Sequence, residues 1–292
     1  MKIAFIGCVE FSAVLFEVLI AHPEAELVGL VTRSDARLNA DFSDLRPLAQ
    51  RAHCPVCTDT DTSAMARWLR ERRPDIIYCF GWSQLLPPDI LAIPPRGVVG
   101  YHPAALPQNR GRHPIIWALA LGLEHTASTF FRMDEGADTG DILSQQTVAI
   151  DPQDDAGSLY RKLMAAACEQ LRTLTTTLAR GNARATPQDH HAANVWRKRS
   201  VADGHIDWRM SAQAIHNLVR ALAPPYPGAH CDYAGQTVII RRTRPVAHAQ
   251  PNLEPGKVLA VHGDRLTIKC GDAAIELLEH EFPTLPTEGS YL

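Results

Sequence analysis

The chain has 292 residues, 46% of them hydrophobic and 21% charged, with a formal net charge of -3. Single cores stop growing at roughly 250–300 residues, so this length predicts one full α/β domain with a smaller companion, and the composition excludes a disordered or fibrous chain. The charge gives no general attraction for phosphate backbones, no run of 18 apolar residues is available to span a membrane, and Met1-Lys2 leads straight into an apolar strand instead of a signal peptide, so a cytoplasmic protein is expected.

The first half alternates short apolar runs with amphipathic stretches, which predicts a Rossmann-like, mostly parallel sheet with helices on both faces. Residues 2–8 read as the first strand, 13–21 as its crossover helix and 25–32 as the second strand, followed by a polar loop and a helix over 45–53. After a short strand at 55–57, Asp61 and Ser63 offer N-caps for a helix that reaches Arg72 and is stopped by Pro74. Residues 76–80 form the next strand. The run 97–101 is another, and it breaks into a long shaped loop containing Pro103, Pro107 and Gln108-Asn109-Arg110-Gly111-Arg112. His102 stands at the carboxyl edge of that strand, where open parallel sheets hold their ligands.

A helix is expected over 114–121, strands over 127–132 and 142–150, and between those strands the acid-rich loop Met133-Asp134-Glu135-Gly136-Ala137-Asp138-Thr139-Gly140-Asp141. A long amphipathic helix over 158–180 is followed by a polar, Pro-containing stretch, 181–191, that ends the first domain. The expected organisation is therefore a catalytic domain at 1–190, a linker at 191–204 and a second domain at 205–292. The latter offers a helix over 212–221, a rigid turn at Pro224-Pro225-Tyr226-Pro227-Gly228 and strands over 236–241, 257–261, 265–270 and 273–278, which a small OB-like β-barrel would close.

The seven cysteines are an odd number scattered through apolar segments, which argues against a disulfide framework. His53-Cys54-Pro55-Val56-Cys57 has a suggestive spacing but no second ligand pair at finger distance, so buried thiols and no metal are expected. The first turn, Gly7-Cys8-Val9-Glu10-Phe11, lacks the G-x-G-x-x-G dinucleotide fingerprint. Neither a phosphate-cradling G-x-x-x-x-G-K-[ST] loop nor a G-x-S-x-G elbow occurs. What remains is His102 with Asp134, Glu135, Asp138 and Asp141, contributed by two loops at one sheet edge. An imidazole accepts a proton near neutral pH and a carboxylate can fix its tautomer and stabilise its cation; the same acids could equally be a solvated turn.

Three stretches, taken in order, resemble the folate-dependent formyltransferase family, a methionyl-tRNA formyltransferase-like group. They are His102-Pro103-Ala104-Ala105-Leu106-Pro107 with Arg110-Gly111-Arg112, the segment 133–142 with Asp138-Thr139-Gly140, and Ile215-His216-Asn217-Leu218-Val219-Arg220 running into Pro225-Tyr226-Pro227-Gly228-Ala229. The resemblance implies that His102 and Asp138 are catalytic and that N10-formyltetrahydrofolate is the co-substrate. It implies folate contacts from Phe80, Gly81, Trp82, Leu85, Leu86, Asp134, Gly136 and Ala137, the alternative for 80–86 being a core loop with Trp82 simply packed, and acceptor contacts from Tyr101, Pro103, Arg110, Gly111 and Arg112. Arg110 and Arg112 either fork onto phosphate oxygens or brace the loop. One departure stands out: the family's N-x-H pattern here reads Gly100-Tyr101-His102, so the side-chain amide is missing. Asn109 is the expected substitute, with a backbone N–H or a water as the alternative. The loop from Arg33 to Leu45 has no excess of bases and the chain from Asp203 onward is slightly acidic, which disfavours a nucleic acid partner. The nearest likeness is to nucleotide-sugar N-formyltransferases such as the 4-amino-4-deoxy-L-arabinose enzyme. A methionyl-tRNA formyltransferase and a non-catalytic homologue that binds folate or a nucleotide sugar are the alternatives, and a homodimer is left open.

Overall fold

Lys2–Ile6 forms β1, four of whose five residues are buried, and the chain then enters α1 (Glu10–Ile20). The computed structural model describes residues 1–35, 41–247 and 252–292. Residues 36–40, which carry part of the charge balance of the loop from Arg33 to Leu45, lie outside the described residues. In chain order follow β2 (Glu26–Val31), α2 (Arg46–Arg51), β3 (Val56–Cys57), α3 (Thr62–Arg72), β4 (Ile76–Cys79), α4 (Pro88–Leu91) and β5 (Val98–His102). Next come β6 (Arg110–Gly111), α5 (Pro114–Ala120), β7 (His125–Arg132), β8 (Ile142–Ala149), α6 (Ala156–Ala179) and β9 (Val195–Trp196). The chain ends with α7 (Ala212–Ala221), β10 (Ala229–Tyr233), β11 (Gln236–Val246), β12 (Val258–His262), β13 (Arg265–Lys269) and β14 (Ala274–His280).

The main sheet has the order β3-β2-β1-β4-β5-β7-β8. β1 pairs in parallel with β2 and β4, and β4 with β5, while β5 and β7 run antiparallel. β1, β4 and β5 are continuous apolar runs because helices cover both faces of a parallel sheet. Asp61 caps α3, its carboxylate accepting from the Ala64 N–H at 2.9 Å, and Arg73 closes the helix in the left-handed region before Pro74. Beneath the carboxyl edge lies an aromatic cluster in which Phe80 stacks on Tyr78 at a centroid distance of 5.4 Å and meets Phe5 and Phe130 edge-on at 5.6 and 5.3 Å. Ser12 ties α1 to the end of β4, its hydroxyl donating to the Phe80 carbonyl at 2.6 Å.

Contacts divide the chain into two units: residues 1–114, 126–148 and 161–196 form one, and 115–125, 149–160 and 197–292 the other. In the second, five antiparallel strands in the order β10-β11-β14-β13-β12 make a barrel-like sheet, and α7 packs on β11. Ser211 caps α7 by accepting from the Ala214 N–H at 3.1 Å. The expected strand over 236–241 continues to Val246, bent where its register shifts between Ile240 and Thr243. β10 was not expected: Ala229 and Cys231 are its buried residues, and neither small side chain gives a strand signal. Among the described residues no helix is long and apolar enough to cross a membrane.

Candidate active site

His102 is the last residue of β5, and the turn that follows it is held by side chains from the neighbouring strands. Pro103 and Pro107 cannot donate backbone hydrogen bonds, but the carbonyls of this segment must still be satisfied where they are buried. Thr126 donates to the Pro103 carbonyl at 3.1 Å, Thr129 to that of Ala104 at 2.7 Å, and Gln145 to that of Leu106 at 2.9 Å. The turn, with a cis Leu106-Pro107 bond, then leads to Asn109 in the left-handed region at φ 63°. This brings the Asn109 carbonyl 2.7 Å from His102 Nε2. A carbonyl only accepts, so the Nε2 proton is committed there and Nδ1 is the nitrogen left to face outward.

Nδ1 lies 3.7 Å from Asp138 Oδ2. The same oxygen accepts from the Gly111 N–H at 2.9 Å, which fixes the carboxylate between the imidazole and the loop. Asp138 adopts φ 58°, a conformation that Asp tolerates better than most residues but that normally needs local support. Gln188 supplies it: its amide donates to the Asp138 and Gly140 carbonyls at 2.9 and 2.6 Å. His102 is only 5% exposed, whereas the Asp138 side chain retains 19%, so the carboxylate forms the more open side of the pair.

The remaining residues singled out in the sequence fall into distinct positions. Arg110 is buried, its guanidinium turned inward onto Gln188 Oε1 at 2.6 and 3.2 Å and His190 Nδ1 at 3.2 Å, which makes it a brace for the loop. Arg112 is exposed, and its backbone N–H bonds the Trp196 carbonyl at 3.0 Å. Gly111 sits at φ 100°, and a side chain there would collide with the Trp196 carbonyl of the paired β9. Tyr101 points to the other face of β5, tilted against Phe11 and edge-on to Phe130 at centroid distances of 4.3 and 5.0 Å, and burial pushes its phenol above the ordinary range. Pro103 is half-buried.

On the loop after β4, Phe80 is fully buried with its N–H bonded to Ile6, so it belongs to the core and not to a ligand surface. Leu86 is likewise core. Gly81 and Trp82 are half-buried and Leu85 is 67% exposed, so these three present some surface, as do the exposed Ser83 and Gln84 between them. Asp134 spends its carboxylate on its own turn, accepting from the Gly136 N–H at 3.0 Å and the Thr139 hydroxyl at 2.5 Å, with Gly136 and Ala137 exposed beside it. Asp141 accepts from Arg132 through its backbone carbonyl, and Glu135 is exposed.

Three residues of the site escaped sequence reasoning. Gln188 and His190 lie in the stretch that reads as the end of a domain and Asn194 in the expected linker, yet this part of the chain runs back along the loop. Asn194 accepts from the Asn109 N–H at 2.7 Å through its side chain and from the Arg110 N–H at 3.1 Å through its carbonyl. A carboxamide in a polar loop names no partner in advance, and the two-residue strands β6 and β9 that pair here are too short to read from the sequence.

Volume alone does not mark this pair. A cleft of about 750 Å³ lies between α1 and α6 and another of about 680 Å³ beside α7 and β11, and neither is lined by His102 or Asp138. Cys54 and Cys57 are buried, and burial pushes the Cys54 thiol up to about 12. Among the described residues no three His, Cys, Asp or Glu side chains gather as a metal site.

Comparison with known proteins adds the family. The sequence profile of the family described as formyl transferase matches residues 1–175, and that of the formyl transferase C-terminal domain matches residues 198–287. Among solved structures, HypX from Aquifex aeolicus in complex with tetrahydrofolic acid is similar, with a TM-score of 0.64 and 20% identity over 97% of this chain. This chain spans only 44% of that protein's length. WlaRD, a sugar 3N-formyltransferase solved in the presence of dTDP and 5-N-formyl-THF, aligns over 98% of this chain and 99% of its own, with a TM-score of 0.73 and 16% identity. The N-formyltransferase from Helicobacter canadensis, in complex with folinic acid and dTDP-3-aminofucose, has a TM-score of 0.72 and 15% identity, covering 95% of this chain and 98% of its own. These identities speak for the fold; the profile matches, covering both halves, establish that the chain belongs to the formyl transferase family.

Proposed function

We propose that the protein is an N-formyltransferase that moves a formyl group from N10-formyltetrahydrofolate to the amine of a nucleotide-linked amino sugar. The observation that carries the reading is the meeting of His102 Nδ1 and Asp138 Oδ2 at 3.7 Å, on the carboxyl edge of β5. The carrier supplies the formyl carbon. As the amine nitrogen bonds to that carbon it must shed a proton, and Nδ1 is positioned to take it because Nε2 is engaged with the Asn109 carbonyl. The cation so formed faces the Asp138 carboxylate, and the proton then passes to the departing carrier nitrogen as the old carbon–nitrogen bond breaks. Asn109, whose backbone already grips the imidazole, is assigned the side-chain amide that steadies the tetrahedral oxygen.

Trp82 and Leu85 offer apolar surface for a flat pteridine beside this edge, with Gly81 permitting close backbone approach. Arg112, whose guanidinium is exposed, is the residue assigned to a phosphate of the nucleotide, while Arg110 braces the loop. The slightly acidic C-terminal stretch, from Asp203 onward, favours a small acceptor over tRNA.

The test is release of tetrahydrofolate from N10-formyltetrahydrofolate in the presence of a panel of nucleotide-linked amino sugars. Turnover with a sugar is expected, falling by about 10²–10⁴-fold in His102→Asn and Asp138→Asn. Turnover only with charged methionyl-tRNA, or binding of both ligands without release, would overturn the reading.

A further inference from the structure

Arg33 follows β2 on the same carboxyl edge, and the sequence gives it no evident task. Its guanidinium carbon lies 4.7 Å from the centroid of the Trp82 ring. Its Nη2 is enclosed by protein and has no hydrogen-bond partner, and the hydroxyl of Thr32, the residue before it, is also buried without one. A guanidinium nitrogen withdrawn from water ordinarily finds an acceptor, since losing solvation without replacement is unfavourable. Contact with an indole face supplies no acceptor for Nη2, and the residue as a whole is only half-buried.

We propose that Arg33 is an anion-binding residue, taking a carboxylate or phosphate oxygen pair of a substrate in its fork while Trp82 holds the guanidinium flat. The inference rests on the formyl-transfer reading of this edge. The strand order β2-β1-β4-β5 puts the end of β2 three strands from His102, or about 14 Å at roughly 4.8 Å per strand. An anion held there belongs to the far end of an extended substrate and not to the reacting amine. Two sources share that chemistry: the glutamate tail of the folate carrier and the diphosphate of a nucleotide-linked sugar. Trp82 couples the two roles of the loop, since the ring offered to the pteridine on one side is the ring that seats Arg33.

The experiment compares wild type with Arg33→Met, which keeps an apolar stem over Trp82, and Arg33→Lys, which keeps the charge but loses the fork. Calorimetric titrations with mono- and triglutamyl 5-formyltetrahydrofolate and with dTDP and UDP are run beside the KM values of both substrates. A rise of at least tenfold in Kd and KM for one substrate class in Arg33→Met, with a smaller rise in Arg33→Lys, supports the assignment. A larger effect on the triglutamyl folate identifies the carboxylate; an effect on the nucleotides identifies the phosphate. Affinities within twofold of wild type for every ligand in both variants overturn it. Because binding is read without turnover, a wild type that binds these ligands yet transfers no formyl group would sink the proposed function and leave this inference standing.

Discussion

Gly100 shows how one residue can redefine a site. A side chain built there would place its Cβ 2.8 Å from Met133 Cγ and 2.9 Å from Phe131 Cζ, so the volume a family asparagine would need is already filled. Restoring it as Gly100→Asn is therefore expected to overpack β5 against β7, at a cost of about 1–3 kcal/mol, and to lower kcat instead of raising it. Thermal unfolding with steady-state kinetics checks this, and a variant as stable as wild type with faster turnover would show that the pocket has room. That His102 and Asp138 would come together was legible in the sequence because both stand at loop edges of the predicted sheet, although the resemblance, and not the residues alone, singled them out from the other acids of the loop. Phe80 was not legible, because an aromatic at a strand end fits a ligand slot and a core equally well, and only its full burial among Phe5, Tyr78 and Phe130 decides for the core.

At the scale of elements, the parallel strands and their helices were legible because apolar runs and caps such as Asp61 and Ser211 are local signals. The path of the chain after α6 was not, because it is set by hydrogen bonds to a loop 80 residues earlier in the sequence. Gln188 is the joint between the two: its oxygen accepts from Arg110 and its nitrogen donates to the Asp138 and Gly140 carbonyls. Gln188→Leu strands a buried guanidinium, and a loss of about 2–3 kcal/mol is expected, together with a fall in kcat as Asp138 is released from its left-handed conformation. Gln188→Glu keeps the acceptor for Arg110 but loses the donor to Asp138. It should recover much of the stability in urea unfolding while kcat stays low. Parallel recovery of both would mean that Gln188 matters for folding alone.

At the scale of the whole molecule, a pH response is built into the second unit. His216 on α7 meets the Thr243 hydroxyl of β11 through Nδ1 at 3.1 Å. Burial holds its imidazole below the ordinary value of 6.5, the Arg220 cation one turn on adds to the effect, and the backbone of Thr243 opposes both. Folding therefore favours the neutral ring. Below pH 6.5 the unfolded chain takes up a proton that the folded chain resists, so this contribution to stability is complete above that pH and is lost as pH falls toward the folded value. For one proton the slope cannot exceed about 1.4 kcal/mol per pH unit. Hydrogen exchange of the α7 and β11 amides should thus quicken between pH 7.5 and 5.5 beyond the intrinsic pH dependence of exchange, and His216→Gln should flatten that increment. An unchanged increment in the variant would assign the acid sensitivity elsewhere, for example to the carboxylates of Asp203 and Asp207, which their arginine partners hold well below the usual range and which lose that advantage only in stronger acid.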